Sequence, residues 1–97
     1  MSHFLLLDDT DVQHAFAAHL RQLREQEKLS RDALAARSGV PASTIKKFEL
    51  TGQISLRQLL LLWQSLDDLS RLFALTQNAS NKPNMPKSIE EVLQDAF

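Results

Sequence analysis

Apolar residues recur every three to four positions through Val12, Phe16, Leu20 and Leu23, so a first helix is predicted to begin after Asp9 or Thr10 and run to about Lys28 with this stripe inward. Thr10 and Gln13 have capping-box spacing, and the neighbouring acids Asp8, Asp9 and Asp11 suit the positive end of the helix dipole. Leu29 extends the apolar face, and the pattern then restarts. Ser30 is placed to cap a short second helix whose inward stripe is Ala33, Leu34 and the aliphatic stem of Arg37. Gly39 ends that helix by adopting a backbone conformation that a Cβ disfavours. Pro41, with its φ already set and no N–H to leave orphaned, suits the first position of a third helix. That helix buries Ile45 and Phe48 and exposes Ala42, Ser43, Lys46 and Lys47. Two short helices joined by a glycine turn have the geometry that lays a helix end in a DNA major groove.

Thr51-Gly52-Gln53 interrupts the pattern, and Ser55 can cap a fourth helix from Leu56 to Leu66. Its leucines fall on more than one face. Two readings follow: Leu61 and Leu62, with Leu69 and Phe73 beyond them, meet a partner, or the helix is central and surrounded by its own chain. Ser70 to Thr76 is predicted as a short fifth helix. Asn78 to Lys87 has the polarity and prolines of a linker. Ser88 and Glu91 then form another capping box, with Ile89, Val92, Leu93 and Phe97 on one side of a short amphipathic segment. A helix of about ten residues is too short to be stable alone, so this segment must dock on something or stay unfolded. At the other end, Phe4-Leu5-Leu6-Leu7 is an apolar arm that can pair as a strand with its twin in a dimer or staple the first helix. The expected organisation is a helical domain over residues 1–76, a linker at 77–87 and a tail segment at 88–97, with no internal repeat.

Composition narrows the function more by exclusion than by assertion. Ninety-seven residues, 43% of them apolar, make one small soluble domain, and two glycines argue against a sheet-rich fold. With no cysteine there is no disulfide framework, thiol nucleophile or thiolate zinc site. The opening apolar run is too short for a signal peptide or membrane span, so a cytoplasmic protein is expected. His3, His14 and His19 lack metal-ligand spacing and read as surface or boundary residues, and Trp63 in its leucine-rich helix reads as core. No phosphate-cradling glycine loop or supportable Ser-His-Asp arrangement is present, so no catalytic residue, metal or cofactor is expected. The net charge of −1 hides a segregation: residues 20–50 hold seven basic residues against four acids, whereas residues 1–19 hold three acids and no base. The positive charge coincides with the two short helices.

At Leu34-Ala35, Ser38-Gly39-Val40, Ser43-Thr44-Ile45, Phe48-Glu49, Ser55-Leu56 and Leu59-Leu60, roughly from Val12 to Leu75, the chain resembles the lambda-repressor-like, or Cro/cI (XRE), DNA-binding domain. The resemblance implies an all-α, five-helix fold with a helix-turn-helix. It places Pro41, Ala42, Ser43, Thr44, Lys46 and Lys47 on the recognition helix, with Ala42, Ser43, Lys46 and Lys47 toward the groove. Arg31 falls at the head of the second helix near the phosphate backbone. Glutamines common in phage repressors are replaced here by Arg31, Ala42 and Ser43, so base reading is expected from Lys47, or from Arg31 reaching a guanine edge, with Ala42 against a thymine methyl. Arg31, Lys46 and the first amides of the second and third helices would hold phosphates. The family also implies a structural ion pair between Arg24 and Glu49.

Within the family, the run from Phe48 to Leu56 looks most like the HipB-like antitoxins, regulators encoded beside toxin kinases. The expectation is therefore a homodimeric repressor of an inverted-repeat operator that doubles as an autoregulating antitoxin. Its partners would be double-stranded DNA, a second copy, and a toxin kinase or companion antitoxin protein, the last met through the apolar ends. The alternatives are a solitary regulator of the same type and an interaction adaptor with a degenerate helix-turn-helix.

Overall fold

The computed structural model describes residues 6–80, which form five helices and no strand: α1 (Asp9–Gln26), α2 (Arg31–Ser38), α3 (Ala42–Thr51), α4 (Leu56–Leu66) and α5 (Leu69–Ser80). The all-helical expectation holds, and α4 has the predicted bounds. Phe4, Leu5, the stretch 81–87 and the tail residues Ile89, Val92, Leu93 and Phe97 lie outside the described residues.

The helix ends show which local signals decided. α1 is capped by Asp8, two residues earlier than the predicted Thr10 box. Asp8 accepts the Asp11 amide at 2.9 Å and Asp11 accepts the Asp8 amide at 3.2 Å, a reciprocal pair that two carboxylates form as readily as Thr and Gln. The helix closes at Gln26, two residues short of expectation, because Lys28 turns to φ 58°. α2 and α4 start as predicted, with Ser30 accepting the Ala33 amide at 3.0 Å and Ser55 accepting the Gln58 amide at 3.1 Å. Pro41 sits just before α3, as its extended N-cap residue at ψ 145°, and offers no side-chain cap. α5 starts one residue earlier than predicted and runs to Ser80, so 77–80 are helical and the linker expectation fails for them. Nothing between Thr76 and Ser80 is a glycine or proline that would stop the helix.

The core is Ala17, Leu20, Leu34, Val40, Ile45, Phe48, Leu62, Trp63 and Leu66, drawn from α1 to α4 and the α2–α3 turn. α3 packs on α1 and α2, α4 on α1 and α2, and α5 on α4. Leu62 is 1% exposed, so it belongs to this core and not to a partner surface. Leu61 and Leu69 are half-buried against the core, whereas Phe73 is 62% exposed. Val12 and Ala33, both expected inward, are exposed. Trp63 is buried, as expected; its Nε1 donates to the Asp68 carbonyl at 3.2 Å, and its ring meets Phe16 edge-on at 5.8 Å and His19 at 5.4 Å. His14 is exposed.

Two glycines close α2 and α3 in the left-handed region, Gly39 at φ 83° and Gly52 at φ 80°. They differ in surroundings. A Cβ at Gly39 would meet nothing within 4 Å, but at Gly52 it would lie 3.1 Å from Gln13 Cβ and 3.2–3.3 Å from the backbone of Gln13 and His14. Gly39→Ala is therefore expected to cost about 1 kcal/mol, the left-handed penalty alone. Gly52→Ala adds a collision with α1 backbone and should cost measurably more. Urea unfolding of the two variants checks this, and equal losses would show that the α1–α3 approach yields freely.

Candidate nucleic-acid interface

The turn between α2 and α3 is held by two hydrogen bonds back to α2. The Gly39 amide donates to the Ala35 carbonyl at 2.9 Å, and the Val40 amide to Ser38 Oγ at 3.1 Å. Val40 itself is 1% exposed, so the connection is anchored in the core rather than looped over it. On α3, Ile45 and Phe48 point inward at i and i+3 and are buried. The rotation of the helix is thereby fixed. Pro41, Ser43, Lys46 and Lys47 are exposed, and Ala42 and Thr44 are half-buried at the edge of that face. The outward residues predicted for the third helix thus lie on one surface, with Ala42 partly withdrawn from it.

Behind this face, Glu49 occupies the last turn of α3 with its side chain 2% exposed. Arg24 of α1 grips it with Nε and Nη2 at 2.7 and 3.1 Å and donates Nη1 to the Leu29 carbonyl at 2.8 Å. The predicted structural pair is present, and it has a third member. Arg31 Nε donates at 2.9 Å to Glu49 Oε1, the oxygen that also accepts from Arg24 Nη2, so Glu49 ties the end of α3 to the end of α1 and the head of α2. Burial alone would push the Glu49 pKa up, but the hydrogen bonds and charges of Arg24 and Arg31 outweigh it and hold the carboxyl below its ordinary value.

Arg31 is thus a brace in this structure, whereas sequence reasoning gave it to the DNA. Its position at a helix N-terminus, unfavourable against the dipole, was the available signal, and the compensation comes from Glu49. Arg37, whose stem is expected inward, is exposed and meets Glu27 at 2.9 Å, and Arg21 meets Glu25 at 3.1 Å, both pairs being exposed. Of the seven basic residues between 20 and 50, four are in ion pairs. The three without a carboxylate partner among the described residues are Lys28, Lys46 and Lys47.

The helix N-termini differ in the same direction. α1, α2 and α4 each have a side chain bonded to a first-turn amide, and α3 has none. The orphan amides at the start of α3 are left for solvent or an anion. At α2 the Ser30 hydroxyl already takes the Ala33 amide, which weakens the expectation of a phosphate there.

Among the described residues, no group of three or more His, Cys, Asp or Glu is placed to hold a metal ion, and no helix is long and apolar enough to cross a membrane. Comparison with curated proteins and with solved structures gave no match. Residues 15–77, more than half of the chain, match the family model of a helix-turn-helix domain, a span that takes in most of α1 and all of α2, α3 and α4. The chain belongs to this helix-turn-helix domain family, of the lambda-repressor-like type.

Proposed function

We propose that this protein is a homodimeric, sequence-specific DNA-binding repressor and the autoregulating antitoxin of a HipB-like toxin-antitoxin operon. The observation that carries the DNA-binding part is α3. Its rotation is fixed by Ile45, Phe48 and the Glu49 brace, and the side turned outward carries Ser43, Lys46 and Lys47, with both lysines unneutralised by any described carboxylate. Lys47 is the candidate base reader, and Lys46 with the uncapped first amides of α3 supplies phosphate contacts. With Arg31 engaged by Glu49, base selectivity rests on Lys47, Ala42 and DNA shape.

One such module touches few bases, so useful affinity calls for two-fold symmetry and half-sites about one helical turn, roughly 34 Å, apart. Leu6, Leu7 and Leu75, exposed by 60–77%, offer apolar surface outside the core for a second copy. The antitoxin part rests on the resemblance of residues 48–56 and on the apolar N-terminal arm, which would engage a toxin kinase or companion antitoxin protein. Footprinting upstream of its own gene is expected to protect an inverted repeat, and sedimentation to show a dimer. An unsymmetrical footprint with a monomer in solution refutes the dimeric reading. A neighbouring gene without a kinase-like toxin, together with no complex on co-expression with its product, refutes the antitoxin reading.

A further inference from the structure

Among the described residues, an apolar groove between α1, α4 and α5 is left uncovered. Phe16 of α1, Leu56, Leu59 and Leu60 of α4, and Leu72 and Phe73 of α5 line a cleft of about 460 Å³. Leu56 and Phe73 are 70% and 62% exposed, a cost in water that a folded domain reduces by covering such a surface. The chain carries a segment suited to it. Ile89, Val92, Leu93 and Ala96 have the i, i+3, i+4, i+7 spacing with which an amphipathic helix fills an apolar groove.

We infer that residues 88–97 fold back as a helix into this groove of their own domain, forming a sixth element over α1, α4 and α5. The connection permits it. Thr76 lines the groove four residues before the end of α5, about 6 Å along the helix, and residues 81–88 span up to roughly 26 Å when extended. Pro83 and Pro86 oppose a continuous helix from α5 into the tail and favour the break that a reversal needs. Charge agrees with the placement: Glu90, Glu91 and Asp95 belong to the tail, and Arg57, exposed and without a carboxylate partner among the described residues, follows groove residue Leu56 on α4. A short tether gives an effective concentration of order millimolar, so a ten-residue helix too weak to fold alone is held in place by a contact of modest affinity. A second copy at micromolar concentration competes poorly for the same groove, and Leu6, Leu7 and Leu75 stay available to it.

The native chain has no cysteine, so a nitroxide attached to Gln94→Cys reports on the tail alone. In the full-length chain, amide signals of Phe16, Leu60, Leu72 and Phe73 should lose intensity while those of Lys46 and Lys47 do not. Adding Leu93→Asp should restore the lost intensity, since it places a charge on the docking face without touching the domain. Mixing isotope-labelled chains lacking the nitroxide with unlabelled chains carrying it should leave the groove signals intact. Absent or uniform broadening, or broadening that survives Leu93→Asp, overturns the inference. Groove losses undiminished in the mixed sample overturn it too, by placing the tail on a second copy. No arm of the experiment involves DNA, so the result is independent of the proposed DNA binding.

Discussion

Glu49→Ala is expected to remove about 3–5 kcal/mol of unfolding free energy, because it strands a buried guanidinium rather than merely deleting a contact. Arg24 keeps only 9% of its side chain exposed, and Glu49 is the partner of two of its nitrogens. Without the carboxylate, one bond to the Leu29 carbonyl is left to balance its desolvation. A domain of this size has on the order of 5–15 kcal/mol in total, so the alanine variant will be close to unfolding at room temperature. Glu49→Gln is the companion measurement: it preserves the shape, can still accept from an arginine, and removes the charge. It should cost less than the alanine and remain foldable. The two variants also define a pH signature. The folded-state pKa of Glu49 is depressed below its ordinary value of about 4.5, so the stabilisation it confers is complete above that value and is lost as pH falls through the folded value. The stability gap between the native chain and Glu49→Gln, measured by urea unfolding, should therefore be widest near neutral pH and shrink in acid. A gap that is flat with pH would mean that the arginines do not depress this carboxyl.

The brace also marks how far the sequence could be read. Arg24 and Glu49 are 25 positions apart, and no periodicity connects them; the resemblance to a known family supplied the pair. Arg31 escaped because the same resemblance, applied to a residue departing from the usual glutamine, offered a DNA role, while the physical cue of a cation against the dipole named no partner. The second and third helices were legible because Ser30, Gly39 and the Ile45 and Phe48 spacing act within a few residues. Leu62 was not, since a helix with leucines on several faces does not reveal which face its neighbours take. α4 lies between α1, α2 and α5, and Leu62 faces the core while Leu56 stays 70% exposed. The exposed face of α3 was legible for a simple reason: once two apolar residues three apart are buried, the opposite side is fixed.

Changing Lys46 and Lys47 together to alanine tests that face directly, and it should separate binding from folding. Both side chains are exposed and lack a carboxylate partner among the described residues, so the double variant should unfold within about 0.5 kcal/mol of the native chain. DNA binding should respond quite differently. Each phosphate neutralised by a lysine releases condensed counterions, and losing one contact lowers the slope of log affinity against log salt by about 0.9. If Lys46 holds a phosphate and Lys47 reads a base edge, the variant should bind its operator roughly 100-fold more weakly at moderate salt, with a salt slope reduced by about one unit for each half-site engaged. A slope reduced by about two units for each half-site, with discrimination between operator and unrelated DNA unchanged, would assign both lysines to phosphates and move base reading to Ala42 and DNA shape. Single variants distinguish the roles, since Lys46→Ala should weaken all sequences alike and Lys47→Ala should relax the preference at one position of each half-site. In a dimer each substitution acts twice, so the slope change per operator doubles when both half-sites are engaged, and the ratio of half-site to full-site slopes counts the protomers bound. Unaltered affinity and slope in the double variant would remove α3 as the reading surface and leave the helix-turn-helix as a scaffold for protein contacts.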